Sequence, residues 1–444
     1  MKPQGPRRLR EDLIAQACLE AYGSVRHDGR LSDRALDFVL RQRKQLYSNE
    51  RRVVAERVYA LLRRQRLVDF LAEKGWKGFA GLSVSHKDLV RLGISRLIEG
   101  EDADAVADTM AFKGDDAKQL RHIFDTRAKL EKLPSLERFG IEASLPDFAA
   151  AKLVEEVGDE AFAAAEAMNV RGPLVGRVNT LRGTREQCIA ALEQEDVRVS
   201  PTPLSPLGIL IETRTNVYSL EAFKKGLFEV QDEGSQLLGM LVDAPPKKVV
   251  DACAGAGGKT LQLAAQMKNR GDLYALDIGE RRLEELKERT RRADVHNVRI
   301  KGITDDDKAL EPVAALVGQA DRVMVDAPCS GSGTFRRKPD ARYRLTEESL
   351  KEHVEIQKKL LERFCPLVKP DGLLIYGTCS YFRDENEDVV KWFLDKHPEY
   401  SLVPAERSLG KELAAKTCRD GFLRLFPHRH GTDAFFGAIL KRAK

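Results

Sequence analysis

The sequence predicts a multidomain α/β protein built around a doubly wound, mostly parallel sheet. Three observations carry that reading. From about residue 245, short apolar runs alternate with helical stretches, as in strands buried on both faces and joined by crossover helices. Residues 7 to about 130 instead carry apolar residues at helical spacing with few strand-like runs, which predicts a separate bundle. The chain has 444 residues, too many for one ordinary core, so two or three domains are expected.

In chain order, the all-α bundle comes first and is assigned residues 1–135. Its helices are read in LREDLIAQACLEAY, RALDFVLRQRKQL, RRVVAERVYALLRRQRLVDFLAEK and HKDLVRLGISRLIEG, with Gly75, Gly78 and Gly81 punctuating the end of the third. Residues 136–240 read as a small α+β subdomain. LPDFAAAKLVEEVGDEAFAAAEAMN gives two short helices, PLVGRVNT a strand, REQCIAALEQED a helix, SPTPLSPLG a loop and GILIETR a strand. Residues 241–444 form the sheet domain, with strands in KVVDACAG, LYALD, VRIKGI, RVMVDAP and LLIYGTCS. The helix RRLEELKERTRRA offers Glu285–Arg289 and Glu288–Arg292 pairs one turn apart. TEESLKEHVEIQKKLLERF opens on a capping region at Thr346, Glu347 and Glu348. The tail, FLRLFPHRHGTDAFFGAILKR, predicts a closing antiparallel hairpin.

Composition narrows the class. Hydrophobic residues make up 42% and charged residues 32%, as in soluble globular proteins. No apolar run approaches the ~20 residues that span a bilayer, and no apolar segment follows the charged N-terminus, so no export signal is expected. The seven cysteines are odd in number and form no C-x-x-C pair. A disulfide framework and a structural zinc site are therefore not expected, and a reducing, cytoplasmic setting is. Residues 1–70 hold 16 Lys/Arg against 9 Asp/Glu, a balance of +7 in a chain of net charge +5. A basic module on a near-neutral body suits a nucleic-acid partner.

DACAGAGGKT, residues 251–260, follows the first strand of the sheet domain and opens a helix. Asp277 ends the next strand, where an acid binds ribose hydroxyls in Rossmann-like folds. The loop misses the dinucleotide pattern at Thr260 and the phosphate-loop pattern at Cys253. S-adenosyl-L-methionine, which carries no phosphate and needs a close backbone and a ribose-binding acid, fits best.

DAPCSGSG (326–333) and YGTCS (376–380) each follow an apolar strand. Cys329 and Cys379 are thus expected at the carboxyl ends of parallel strands, facing one pocket if those strands are neighbours. Carbon 5 of cytosine is a poor nucleophile, and paired thiols suit its methylation. A thiolate adding to carbon 6 creates an enamine whose carbon 5 attacks a methyl sulfonium. An acid at ring nitrogen 3 favours the addition, and Asp326 is placed for it. A second thiol assists release. Methylation of an exocyclic amine needs none of this, and its Asp/Asn-Pro-Pro-aromatic signature is absent.

These motifs resemble the RNA cytosine-5 methyltransferases of the Sun/Nop type. The resemblance rests on RVNTLRG (177–183), QDEGSQL (231–237), DACAGAGGKT, Asp277, DAPCSGSGTFRRKPD (326–340), YGTCSYFRDENE (376–387) and GTDAFF (431–436), in the family's order. It implies that Cys379 is the nucleophile, that Cys329 helps release product and that Asp326 contacts the base. Cys253, Ala254, Gly255, Ala256, Gly257, Gly258 and Lys259 would wrap the cofactor, with Asp277 at its ribose. Asp305, first of the run 305–307, is chosen as the acid near the adenine. Arg177, Arg336, Arg337 and Lys338 are expected at RNA. The N-terminal bundle resembles the NusB-type RNA-binding domain of some bacterial members, whose substrate is small-subunit ribosomal RNA. A flipped or single-stranded cytosine is expected.

Two positions depart from the family. Ala256 stands where the cofactor loop usually has proline, adding backbone freedom, and Ala434 stands where glycine is common. Two alternatives remain, a DNA cytosine methyltransferase using Cys329 as nucleophile and a non-catalytic ribosome-assembly factor. Within the leading reading, ribosomal RNA is favoured over transfer RNA, naked or in an assembling small subunit. A monomer without metal is expected.

Overall fold

The computed structural model describes residues 9–306 and 308–444. Residues 1–8, with part of the basic N-terminal stretch, and Asp307 lie outside the described residues. The chain forms two compact units, Met1–Arg171 with Phe335–Thr346, and Gly172–Thr334 with Glu347–Lys444.

The first unit is helical, and Ile14, Val54, Val58, Leu61, Leu71, Val90 and Ile94 are wholly buried in its core. The long segment read as one helix breaks at Arg64 into Ser48–Arg63 and Gln65–Gly75. The Arg64 guanidinium donates to both carboxylate oxygens of Glu166, each at 2.7 Å. That pairing ties in the helices Ser135–Ala143, Asp147–Val157 and Ala161–Asn169. The first compact unit runs on to Arg171, past the boundary expected near 135.

Residues 335–346 are the larger surprise, because they follow the Cys329 loop in sequence yet fold into the helical unit. Arg342 is fully buried and donates to Arg63 O at 3.0 Å, Asn169 Oδ1 at 2.6 Å and Met168 O at 3.2 Å. Arg63 in turn donates to Arg336 O at 2.8 Å, and the Ser32 hydroxyl donates to Asp340 Oδ1 at 2.6 Å. Tyr343 donates to Leu62 O at 2.6 Å. Charged side chains this deep persist only when their hydrogen bonds are met.

The second unit holds two sheets. The smaller comprises β1 (Val175–Val178), β2 (Val199–Pro201), β3 (Gly208–Ile211) and β4 (Phe228–Val230), all antiparallel, in the order β2-β3-β1-β4. Two of these strands were expected; β2 lies partly in the segment read as a loop. The larger sheet holds β5 (Lys248–Asp251), β6 (Asp272–Asp277), β7 (Val298–Gly302), β8 (Ala320–Asp326) and β9 (Val368–Thr378). It continues with β10 (Tyr400–Val403), β11 (Cys418–Arg419), β12 (Phe422–Leu425) and β13 (Phe435–Arg442). The five strands β7-β6-β5-β8-β9 are parallel, and β13 closes antiparallel on β9 with β12 beside it. Both the doubly wound sheet and the terminal hairpin match expectation.

Period-two alternation buries both faces of the large sheet. Val323 and Val325 enter one core layer and Met324 the other. Strand order reverses beside β5, which opens a crevice at the carboxyl ends of β5 and β8. Among the described residues no helix is long and apolar enough to cross a membrane.

Truncating Arg342 leaves the carbonyls of Arg63 and Met168 buried without their donor. Arg342→Ala is expected to cost about 2–4 kcal/mol, read as an earlier urea transition of the helical signal in the full chain.

Candidate active site

The two thiols meet. β8 and β9 pair in parallel with Asp326 opposite Gly377, so the loops leaving both strands start side by side. Cys329 Sγ and Cys379 Sγ stand 3.3 Å apart, half-buried and unbridged. Gly333 N donates to Cys379 O at 3.0 Å, which stitches the loops together. The hydrogen bond it shares with Cys379, together with burial, pushes the Cys329 thiol well above its ordinary range.

Lys259 stands in the first turn of the helix Gly258–Gln266 and donates to Asp326 Oδ2 at 2.7 Å. Burial alone would lower its pKa, but the adjacent Asp326 carboxylate more than offsets this and raises it. Among the described residues Asp326 Oδ1 has no protein partner. The Lys259 ammonium also lies 5.6 Å from the centre of the Phe435 ring. β5, β8, β9 and β13 thus each bring a group to one crevice.

The cofactor loop needs its glycines at two points. Gly257 sits at φ +90° as it turns into the helix, and a Cβ there would strike Leu286. Gly255 sits at φ +54° with open space around it, leaving room for a ligand to lie on the backbone. Asp277 accepts from Gly255 N at 2.8 Å and from Gly279 N at 2.7 Å, which holds its carboxylate at the mouth of the loop.

Asp251, the last residue of β5, had no role in the sequence reading. It is 1% exposed, accepts from Thr260 Oγ1 at 2.7 Å through Oδ2, and leaves Oδ1 buried without a partner. Burial pushes its pKa up to about 6. An unmet carboxylate oxygen, with Asp277 and Asp326 adding negative charge nearby, suits a cationic ligand. S-adenosyl-L-methionine carries both an ammonium and a sulfonium, so these residues fit it. The signal in the sequence was an acid ending the strand before the loop.

Five expected contacts need revision. Arg177 is 2% exposed and is bonded inside the protein, to Gln231, to Gly258 O at 2.7 Å and to Gln262 Oε1 at 3.5 Å. It braces the cofactor loop and has no surface to offer RNA, and burial lowers its pKa to about 10. Arg336 is buried in the helical unit, Arg337 is half-exposed and Lys338 is exposed, so only the last two present surface to a phosphate. The expected helix pairs of Arg289 and Arg292 give way to a shared clamp on buried Glu229 of β4, at 3.0 and 2.6 Å. Arg289 also donates to Ala256 O at 2.8 Å, gripping the loop where the proline is missing. Asp305 is exposed and ion-paired to Arg363 at 2.9 Å, so its carboxylate is engaged by that helix and not by the cofactor loop. Among the described residues no group of three or more His, Cys, Asp or Glu is arranged to hold a metal.

Residues 240–441 match the model of the 16S rRNA methyltransferase RsmB/F family, and residues 145–218 match the ferredoxin-like domain of the same proteins. A probable ribosomal RNA small subunit methyltransferase B of Bacillus subtilis is 34% identical over 60% of this chain, an alignment spanning 59% of that relative. Its Synechocystis counterpart is 29% identical over 93% of this chain and 95% of the relative. The solved methyltransferase homolog protein from Pyrococcus horikoshii superposes with a TM-score of 0.58 at 29% identity, covering 70% of this chain and 99% of that one.

Asp251 generates a prediction. An acid whose folded pKa is about 6 against an ordinary 3.8 keeps its proton longer folded than unfolded. Its ionisation therefore subtracts stability as pH rises from 4 through 6. Without cofactor, Asp251→Asn is expected to melt higher than wild type at pH 7.5, by the equivalent of about 1–3 kcal/mol. The difference should vanish below pH 4 in calorimetric scans. S-adenosyl-L-methionine is the cofactor of this Rossmann-like core, and residues 145–218 and 240–441 match the two domains of the RsmB/F methyltransferase family.

Proposed function

We propose that this protein transfers a methyl group to carbon 5 of a cytosine in small-subunit ribosomal RNA, through a covalent bond between Cys379 and the base. The observation that carries the reading is the 3.3 Å approach of two thiols at neighbouring strand ends, beside the Lys259–Asp326 pair. The names of the relatives, ribosomal RNA small subunit methyltransferases, support the substrate class.

When bound, S-adenosyl-L-methionine supplies an electrophilic methyl on its sulfonium. It would rest on residues 253–259 with Asp277 at the ribose and Asp251 toward its positive charge. The protein's own groups do the rest. Cys379 adds to carbon 6 as the thiolate, and carbon 5 gains the electron pair it needs to accept the methyl. Asp326, anchored by Lys259, holds the proton at ring nitrogen 3 that draws charge away from the ring. Cys329 stays a thiol at neutral pH, because its hydrogen bond to Cys379 and its burial oppose ionisation. This supports Cys379 as the nucleophile, with Cys329 acting in release. There the Cys329 thiol gives its proton to the departing Cys379 sulfur and its own sulfur takes the proton from carbon 5, so that the carbon–sulfur bond breaks and the 5,6 double bond returns. Arg337 and Lys338, which both present surface, provide phosphate contacts.

Wild type, Cys329→Ala and Cys379→Ala incubated with ribosomal RNA or small subunits and S-adenosyl-L-methionine should separate on a denaturing gel. Cys329→Ala accumulates a protein–RNA adduct with little free product. Cys379→Ala gives neither adduct nor 5-methylcytidine in the digested RNA. The reverse pattern makes Cys329 the nucleophile. Absence of product and adduct in every protein, on subunits as well as naked RNA, replaces this reading with that of an assembly factor.

A further inference from the structure

One turn beneath the two thiols belongs to neither strand and takes no direct part in the chemistry above. Glu385 and Asn386 are adjacent and wholly buried. Each reaches a different catalytic loop. Glu385 accepts from Ser330 N at 2.8 Å through Oε1 and from Ser330 Oγ at 2.6 Å through Oε2. Oε1 also accepts from Gln357 Nε2 at 3.0 Å, and that same amide donates to Pro328 O at 3.1 Å. The residues on both sides of Cys329 are thus held from below. Asn386 accepts from Thr378 Oγ1 at 2.5 Å and donates to Ser380 O at 3.0 Å, so the residues on both sides of Cys379 are held likewise. Tyr376 OH donates to Glu385 O, which pins the turn to β9.

We infer that Glu385 and Asn386 are a shared pair of positioning residues, Glu385 setting Cys329 and Asn386 setting Cys379, so that two neighbouring peptides fix the distance between the thiols. The inference deepens the proposed reaction and rests on it only for its catalytic consequence. The geometry has an electrostatic side. Among the described residues no cation pairs with Glu385, whose neighbours are Ser330, Gln357, Tyr376 and Cys329. The Lys259 ammonium of the site is bonded to Asp326. The uncompensated carboxylate adds to what the Cys379 hydrogen bond and burial do to Cys329, keeping it protonated.

The test reads each thiol separately in the full chain without RNA. Wild type, Glu385→Gln and Asn386→Ala are alkylated with iodoacetamide across pH 6.5–9.5, and the rates at Cys329 and Cys379 are resolved by peptide mass spectrometry. Removing the carboxylate charge lowers the Cys329 pKa, so Glu385→Gln should alkylate faster there at pH 8, by about three- to ten-fold. Cys379 should stay within about two-fold in that variant, and Asn386→Ala should alter Cys379 more than Cys329. Variants on the partner side, Ser330→Ala and Thr378→Val, carry the same test if melting curves show either first variant unfolded. Equal changes at both thiols, or none, in folded protein overturns the inference.

With RNA, Glu385→Gln should trap an adduct as Cys329→Ala does, because addition survives and release slows, whereas a purely structural defect lowers both together. Separable alkylation with no adduct in any variant, Cys329→Ala included, sinks the cytosine reading and leaves the positioning pair standing. Normal 5-methylcytidine from wild type with inseparable alkylation does the opposite.

Discussion

The parallel pairing of β8 with β9 is the constraint on which the site depends. The two strands are far apart in sequence, yet their register sets Asp326 beside Gly377. A slip by one residue would turn Val325 and Tyr376 out of their core layer, since side chains alternate faces. The thiols inherit their separation from that register. The surrounding hydrogen bonds then remove what freedom the two loops retain after leaving the sheet. Lys259 and Asp326 complete the arrangement from the other side of the crevice, joining the carboxyl end of β8 to the helix that follows β5.

A second principle recurs in the unit, which is support by arginines on backbone carbonyls. Arg177 from β1 holds Gly258 O and Arg289 holds Ala256 O. The small sheet is thereby built into the cofactor loop and is not a loose appendage to it. Glu229 of β4 takes Arg289 and Arg292 together, and Asn179 bridges Gly226 O and Ala293 O at 2.9 and 2.8 Å. A loop of four small residues has little side-chain packing of its own. Its rigidity has to come from charge-assisted bonds made by neighbours.

What the sequence disclosed follows from the kind of signal each feature leaves. Strands buried on both faces write continuous apolar runs, so β5 to β9 were legible, and cysteines at two strand ends were legible because each run is followed by small and polar residues. Three-residue strands such as β2 and β4 leave no period to detect. The arginines misled for a physical reason. Charge alone cannot tell a guanidinium aimed at phosphate from a buried one, and Arg177, bonded to Gly258 O, and Arg336 both proved buried. The acid run at 305–307 offered no register, and Asp305 turned to Arg363. Glu385 and Asn386 lay inside a motif already noted, but only the fold shows that one reaches back to Ser330 and the other to Ser380.

The capture of residues 335–346 by the helical unit has a consequence for how the protein is made. Residues 9–171 leave the ribosome first, and a bundle rich in local contacts is quick to form. The site that receives Arg342, Tyr343 and Asp340 nevertheless stays vacant until the chain has been extended through residue 346. Arg63, Asn169 and Ser32 must wait for partners that translation delivers well after the rest of the helical unit. The helical unit is therefore synthesised early and finished late, and its final closure is timed by the same stretch of chain that carries the Cys329 loop.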